Sequence, residues 1–337
     1  MESRRINIKI SINGKDISRD ISPYLKSVRY SDSLDGETNT AEIELEDRER
    51  LWIKDWFPQR GDTGSITFSR QNWNGGDEET LELKNLEIDE IENSFPPNEC
   101  KIKFNSVASN SNLKSVDKSR SWENVKLSKI CSDIAEGANL ELNYDTAEDP
   151  EISRAEQKNE SNLKFLHKLC KDKGLIVRVS ENQLIVFDAE KLEQADAVEK
   201  FSYGDNKLKR FSATATISEI YTAAHVSYSH GKQKETIEHT FEDKSKPSGM
   251  TLEINKKVSS KAEAEKLAKK SLRDKNKEEI KIRADTIGNL NYLSGNVITL
   301  DDTFGFYAGN YIIEKCDLKA GNGFSCSLEL RKCLSGY

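Results

Sequence analysis

Few residues of this sequence have the types and spacing that catalysis requires. His225, His230 and His239 fall within one predicted hairpin, and their spacing is not the H-E-x-x-H of a metalloprotease helix, so we interpret them as solvated or pairing strand residues. Glu136 and Asp145 could form the acid–base pair of a cell-wall hydrolase, but the predicted helix exposes Glu136. We therefore name no catalytic residue.

Cysteines and glycines give no sign of a metal, redox or nucleotide site. The six cysteines lie far apart in apolar series and form no C-x-x-C pair, which is typical of buried, reduced thiols. They are Cys100, Cys131, Cys170, Cys316, Cys326 and Cys333. No Gly-rich loop follows a strand in a phosphate-binding pattern. We expect neither a metal nor a cofactor.

Aromatic residues gather near two predicted loops. Trp52, Trp56 and Phe57 lie in LWIKDWFPQRGD, and Trp73 lies at the hairpin tip NWNGGDEE. Such residues serve as sugar-binding platforms, as interface anchors, or as lids that pack over the end of a barrel. Packing is the commoner role, and a carbohydrate-binding adhesin stays open as an alternative.

The clearest helices lie between Lys118 and Asp188. Ser121 precedes an apolar series at helical spacing that ends near Gly137 and Asn139, which predicts a first helix. A short strand follows, with Leu140, Leu142 and Tyr144 on one face.

A second helix begins at Asn159 or Ser161, because either side chain can cap free backbone N–H groups. It buries a stripe that includes Leu163 and ends at Gly174. Two strands, 175–179 and 184–187, then form a hairpin. These elements make a compact α+β insert.

Strand patterns dominate on both sides of the insert. In the first region Ile6, Ile8, Ile10 and Ile12 alternate with polar residues. The run at Glu42, Glu44 and Glu46 is either a solvated face or the site of a charge-matched partner. In the last region Phe211, Ala213, Ala215 and Ile217 alternate with serine and threonine, and Ser260 to Glu263 form a capping box before one helix.

Length and pattern together predict three parts. A chain of 337 residues is too long for one ordinary core. We expect an α+β fold, mainly β, with β-barrel or β-sandwich domains at residues 1–117 and 199–337. These two domains flank the α+β insert at residues 118–198.

Charge and hydropathy exclude some partners. The net charge of −7 disfavours nucleic acid as the main partner, since a phosphate backbone favours a basic protein face. No apolar run approaches the roughly 20 residues that span a bilayer. The N-terminus alternates instead of forming a signal-peptide core, so we expect synthesis in the cytoplasm without classical export.

The insert carries an ordered set of residues across about 70 positions. Ser119-Arg120-Ser121-Trp122 precedes the first helix, Gln157 to Leu163 leads into the second, and Gly174 precedes the hairpin. In this order and spacing the stretch resembles the phage late control D family, the baseplate hub proteins of contractile tails. The motif positions are Ser121, Trp122, Asn159, Ser161, Leu163 and Gly174. The loops around Trp52 and Trp73 do not map onto the family.

The resemblance implies a non-enzymatic, structural protein of a phage tail or a tail-like bacteriocin or injection device. It implies a homotrimeric hub in which each chain supplies two tube-like β domains, so that a sixfold tail tube can join a threefold spike. The implied partners are the central spike, the first ring of the tube and other baseplate proteins. Strands Ile6–Ile12 and Phe211–Ile217 are the ones that we expect near the contacts between subunits, because unpaired edge strands tend to associate.

Overall fold

The computed structural model describes residues 4–35, 38–59, 61–73, 78–106, 113, 116–171, 173–180, 182–216, 220–229, 236–244, 246 and 249–337. With 53% strand and 17% helix, the fold is α+β and mainly β, as the sequence predicted. Within those residues, the model contains no helix with the length and apolar character that crossing a membrane requires.

The elements follow the chain in three groups. Before the insert come β1 (Arg5–Ile12), β2 (Lys15–Asp16), α1 (Ser18–Ile21), β3 (Leu25–Ser33), β4 (Thr40–Glu46), β5 (Thr63–Gln71), β6 (Glu79–Ser94) and β7 (Glu99–Asn105). The insert contains β8 (Asp117–Lys126), α2 (Leu127–Glu136), β9 (Glu141–Asp145), β10 (Glu151–Ser161), α3 (Asn162–Lys171), β11 (Leu175–Ser180), β12 (Gln183–Asp188) and α4 (Ala189–Glu193). After it come β13 (Ala197–Phe201), β14 (Leu208–Ala215), β15 (Tyr221–Ser229), β16 (Thr236–Glu242), β17 (Met250–Ile254), α5 (Lys261–Asn276), β18 (Ile280–Ile287), β19 (Val297–Leu300), a 3-10 helix (Asp302–Tyr307), β20 (Gly309–Gly321) and β21 (Gly323–Lys332).

One large sheet of 13 strands organises the described molecule. Ten of its strands form a path in the order β14-β18-β21-β20-β3-β4-β7-β6-β5-β1, and the two-residue strand β2 pairs antiparallel with the last two residues of β1. β19 pairs with β20, and β13 pairs with β19. Every pairing along the path is antiparallel, so β14 and β1 run in opposite directions.

Alternating residues build this sheet and its core. In β4 the side chains of Ala41, Ile43 and Leu45 are buried, whereas those between them face the polar side. Burying one such large aliphatic side chain stabilises the fold by roughly 1.5–3 kcal/mol. The apolar face continues across strands from both ends of the chain as one hydrophobic core.

The first and last regions of the chain are joined by backbone pairing. β20 pairs with β3 from Lys315 opposite Ser33 to Ala320 opposite Val28. The two β regions thus share one sheet and one hydrophobic core. The boundaries of the three domains remain a prediction.

The first helix of the insert begins later than the sequence predicted. Ser121 and Trp122 lie in strand β8, opposite Glu156 and Ala155 of β10, and α2 starts only at Leu127. The cause is a cap from a distant segment: the Asp149 carboxylate accepts hydrogen bonds from the Ser128 N–H (3.0 Å) and hydroxyl (2.7 Å). The prediction that the helix begins soon after Ser121 is therefore wrong, because the residues before Leu127 form a strand.

The start of the second helix needs a smaller correction. Asn159 does not cap it; it lies in strand β10 with a φ of 44°, at a break in the register with β8. Ser161 does provide the cap, accepting the Lys164 N–H (3.4 Å) just before α3. Gly174, with a φ of 77°, ends this helical segment as predicted.

Residues 221–278 contain a smaller sheet of order β16-β15-β17, covered by α5. Ala224 and Val226 of the sheet pack against Ala264 and Ala268 of the helix in a separate core. Ser260 caps α5 as predicted, since it accepts the Glu263 N–H (3.1 Å); the Glu263 carboxylate accepts the N–H of Ser259 (2.8 Å), one residue before the predicted box.

Candidate functional site

The structure brings several residues of the sequence motif together in one buried polar cluster. Arg120 donates to Gln157 Oε1 (2.9 Å) and to Asn162 Oδ1 (2.8 Å). Gln157 in turn donates to Asn162 Oδ1 (3.1 Å), and Ser119 Oγ accepts the Asn159 N–H (3.1 Å). Gln157 and Asn162 are at most 1% exposed, so the hydrogen bonds among Arg120, Gln157 and Asn162 satisfy groups that water cannot reach, whereas the bond between Ser119 and Asn159 lies at the surface.

Trp122 ties this cluster to both helices of the insert. Its ring stacks on Phe165 of α3, with centroids 5.3 Å apart, and the Arg120 guanidinium lies 4.7 Å from the ring centroid. Its indole N–H donates to Asp133 of α2 (2.9 Å). Burial raises the pKa of Asp133, but hydrogen bonds from Lys129 and Trp122 outweigh burial and hold that pKa below its usual range.

The motif cluster is therefore a structural device that fastens the β8–β10 pair to α2 and α3. Leu163 and Gly174 take part as a core residue and a helix end, outside the polar network. Sequence reasoning did not single out Arg120, Gln157 and Asn162 as partners. Their positions close to Trp122 and Ser161, in the two motif segments, could have indicated that these three residues belong to the same cluster.

The predicted hairpin does not bring histidines together. His225 lies opposite Thr240 and contacts its hydroxyl (2.8 Å), whereas His239 lies opposite Val226, on the other face of the sheet. His230 falls outside the described residues. Within the described ranges no group of three or more metal-ligating side chains occurs.

The carboxylates considered for hydrolysis have structural partners. Glu136 accepts a hydrogen bond from Ser132 (3.1 Å), and Asp145 binds the Lys191 ammonium (2.7 Å).

Burial raises the pKa of Cys100 to about 12, which keeps that thiol protonated at neutral pH. No acid–base or nucleophile–base arrangement appears among these residues.

Two of the four aromatic residues of the predicted loops, Trp52 and Trp73, pack inward. Trp52 is 5% exposed and makes an edge contact with Trp56, which is 39% exposed. Trp73 packs edge-on against Phe324 of β21. Trp56 and its neighbour Phe57 are the exposed members, while the tip beyond Trp73 lies partly outside the described residues.

The acidic run of β4 finds its charge partners within the chain. Glu42 lies opposite Lys103 of β7 and opposite Arg29 of β3, and Glu44 lies opposite Lys101. Opposite charges on directly facing strands attract each other across the polar side of the sheet. Glu44 also forms an ion pair with Lys26 (3.2 Å), and Glu46 forms one with Arg48 (2.6 Å).

Strand β1 forms one open edge of the large sheet. The Ile10 N–H donates to Ser18 Oγ (2.8 Å) and its carbonyl accepts the Ile17 N–H (3.0 Å), both on the side away from β5. Because alternate residues direct their backbone groups to the same side, Ile6 and Ile8 also point away from β5. β2 covers β1 only at its last two residues, and Ile10 itself is buried.

Strand β14 forms the opposite open edge. The Thr216 N–H donates to the Glu279 carbonyl (2.8 Å) and continues the ladder with β18. By the same alternation, Phe211, Ala213 and Ala215 direct their backbone groups away from β18. Ile217 lies outside the described residues. Within the described chain, the two strands that the sequence singled out are thus the two edges of the path.

Comparison with known proteins agrees with this architecture. Residues 72–204 match the family model of the baseplate hub gp41. No curated protein matches the chain by sequence.

Solved structures of tail proteins have the same fold. The 43 kDa tail protein of prophage MuSo2 from Shewanella oneidensis aligns with a TM-score of 0.71 and 13% identity over 98% of this chain and 99% of that one. The tail protein from Neisseria meningitidis MC58 aligns at 0.70 and 11% identity over 97% and 96% of the two chains.

A secretion-system protein is more distant. The E. coli c3393 protein, described as a component of the type VI secretion system with similarity to the T4 tail proteins gp27 and gp5, aligns at a TM-score of 0.56 with 11% identity, over 99% of this chain and 78% of that one. The predicted resemblance is confirmed: residues 72–204 match the family model of a baseplate hub, and the fold is similar to that of phage tail proteins over nearly the whole chain.

Proposed function

We propose that this protein is the non-enzymatic hub of a contractile-tail baseplate, a homotrimer that joins the sixfold tail tube to the threefold central spike. Its partners would be the spike, the first tube ring and other baseplate proteins. The chain would be made in the bacterial cytoplasm and assembled there into a phage or phage-tail-like particle.

The observation that carries the ring assembly is the pair of open, oppositely directed edges. A cyclic ring brings β14 of one copy beside β1 of the next, and rotation about an axis along the strands preserves their directions. The ten-strand path alternates throughout, so this junction would be antiparallel, like every pairing inside the path. Closing the ring would cover both edges.

Side-chain direction supports the same junction. Residues that face each other through their backbone groups in an antiparallel pair place their side chains on the same face of the sheet. At these edges they are Ile6 and Ile8 on one side, and Phe211, Ala213 and Ala215 on the other. All are partly buried and pack against the common core, so the junction would extend its apolar face.

The strand inventory supports threefold symmetry. To the large sheet the first region contributes six strands of seven or more residues (β1, β3, β4, β5, β6 and β7), and the last region contributes six strands of four or more residues (β13, β14, β18, β19, β20 and β21). Three chains would therefore present six similar β units to a sixfold tube.

A charge in the free edge of β1 tests the assembly. Ile8→Lys would place an ammonium in the junction, and we expect the purified variant to be a folded monomer where the wild type is a trimer. Ile53→Lys is the matched control, because Ile53 is 50% exposed and lies in the loop between β4 and β5 instead of in an edge strand. A trimer of unchanged mass and stability in Ile8→Lys would contradict the edge-to-edge arrangement.

A further inference from the structure

An exposed aromatic cluster lies beside the open edge of β14. It consists of Tyr203, Phe211, Phe304, Phe306 and Tyr307. The ring centroids of Phe211 and Phe304 are 5.0 Å apart, those of Tyr203 and Phe304 are 5.7 Å apart, and those of Phe306 and Tyr307 are 5.3 Å apart. The rings of Phe211 and Tyr307 are 6.3 Å apart, so the five rings form one chain of contacts.

Two members of the cluster are strongly exposed. Tyr203 is 72% exposed and Phe306 is 68% exposed, whereas Phe304 between them is 7% exposed. Gly305 has a φ of 57°, and this kink separates the buried ring from the exposed one. Large exposed aromatic side chains are typical of interface anchors.

Hydrogen bonds fix the backbone that presents these rings. The Asp301 carboxylate accepts from the Thr303 N–H (3.0 Å) and from the Ser202 hydroxyl, and the Tyr203 N–H donates to Thr303 Oγ1 (2.7 Å). The hydrogen bonds from Ser202 and Thr303 lower the pKa of Asp301, so the carboxylate is charged at neutral pH. The two segments that carry Tyr203 and Phe306 are therefore braced together before any partner arrives.

The cluster lies where an added strand would meet it. Phe211 belongs to β14, and its side chain lies on the core-facing side together with Phe304 and Tyr307. A strand that pairs with β14 lies about 4.7–4.9 Å away, with its facing side chains on the same side of the sheet. Apolar side chains of such a strand would contact the cluster directly.

We propose that this aromatic cluster is the anchor of the contact between copies: Tyr203 and Phe306 pack on Ile6 and Ile8 of β1 in a second copy of this chain. The inference rests on the proposed ring, and it names the residues that contribute most to the binding free energy between copies. Both isoleucines lie in the part of β1 before Ile10, which neither β2 nor Ile17 and Ser18 cover, and both are only partly buried within their own copy. The described chain thus supplies an edge of matching direction and apolar face.

Truncation of the exposed ring tests the anchor. Phe306→Ala should raise the concentration at which the trimer half-dissociates by roughly tenfold or more, because interface anchors lose that much on truncation. Phe95→Ala is the matched control: Phe95 is 74% exposed, in the turn between the central strands β6 and β7, and its loss should leave dissociation unchanged. Equal dissociation of the wild type and Phe306→Ala would overturn the proposal.

A photo-crosslink identifies what covers the cluster. With Phe306 replaced by photoreactive p-benzoylphenylalanine, irradiation of the purified protein, alone and mixed with the spike protein, should yield a crosslinked dimer of this chain whose joined peptide contains Ile6 or Ile8. A crosslink between copies at another segment, or crosslinking to the spike instead of a second copy, would refute the assignment.

The two proposals fail in different ways. A wild type that is monomeric both alone and with the spike protein would refute the ring itself. A trimeric wild type, with unaltered dissociation in Phe306→Ala and no crosslink to β1, would refute only the aromatic anchor.

Discussion

Arg120 is the residue on which the motif cluster depends most. Its guanidinium bonds to Gln157 and Asn162 and covers Trp122, all within the insert. We expect Arg120→Ala to lower the free energy of unfolding by about 2–3 kcal/mol. The substitution removes the hydrogen bonds that the buried amide oxygens of Gln157 and Asn162 accept from Arg120. Urea denaturation followed by circular dichroism measures this.

Arg154→Ala is the matched control for Arg120. Arg154 lies in the paired strand β10, but its side chain is 63% exposed and its partners, Glu123 and Glu156, are surface carboxylates. Surface ion pairs contribute about 0–1 kcal/mol, so this variant should unfold nearly like the wild type. Equal losses in the two variants would argue against a special role for the cluster.

Asp149 gives the insert a pH-dependent contribution to stability. Burial raises its pKa, but hydrogen bonds from the Ser128 N–H and hydroxyl outweigh burial, so the pKa lies below its usual range. A lowered pKa in the folded state stabilises the protein above the unfolded pKa of about 3.9, and this stabilisation is lost as the pH falls through the folded value.

Substitution of Asp149 separates the cap from the charge. Asp149→Ala should cost about 1 kcal/mol at pH 7, as loss of a helix cap does, and progressively less below pH 4. Asp149→Asn keeps one acceptor oxygen for the Ser128 N–H and turns an amide N–H toward the Ser128 hydroxyl, which can accept it, so we expect a smaller loss of stability at pH 7 than for Asp149→Ala. A cost for Asp149→Ala that stays constant from pH 7 to pH 3 would contradict the lowered pKa.

At the scale of elements, proline substitutions in β14 can test which backbone N–H groups point toward β18 and which point away from it. The Ala213 N–H points away from β18, so Ala213→Pro should retain the fold while blocking the junction between copies. Thr214→Pro removes a bond to β18 and should instead destabilise the monomer. Thermal unfolding and light scattering distinguish the two; an intact trimer of Ala213→Pro would show that β14 is not the contact edge.

Sequence predicted the elements whose signals are local. β1 and β4 follow from alternation, α5 from its capping box, and the end of α3 from Gly174. The start of α2 could not be predicted, because Asp149 caps it from 21 residues away. β10 was missed for a similar reason: its polar sequence is held as a strand by pairing with β8 and by the buried amide of Gln157.

At the scale of the whole molecule, Glu193 joins three parts of the fold. This carboxylate, which belongs to α4 of the insert, accepts from Arg273 of α5 (2.7 Å), from Arg331 of β21 (2.7 Å) and from the Leu334 N–H (2.8 Å). Its side chain is 1% exposed. These contacts join residues 80 to 141 positions apart, which is why sequence patterns did not reveal them.

Glu193→Gln tests this junction. Two buried guanidinium groups would lose their shared counter-charge, and we expect a loss of about 3 kcal/mol or more in the free energy of unfolding. Glu148→Gln is the control, because Glu148 also links the insert to α5, through Lys266 (2.8 Å), but both side chains are about 70% exposed. A Glu193→Gln variant as stable as the control would contradict the junction.

The pairing of β20 with β3, which joins both ends of the chain in one sheet, lay equally beyond sequence patterns. The choice of β1 and β14 as contact strands came from alternation and from the general behaviour of unpaired edges. Only the fold shows that these strands are the two edges of one path within the described residues.

The solution mass of the purified protein, alone and with the spike protein of its particle, tests the central claim most directly. The proposed hub predicts a trimer of about 115 kDa, three times the chain mass of 38.2 kDa, or a complex of three hub and three spike chains. A monomer that stays monomeric in the presence of the spike would contradict the hub assembly.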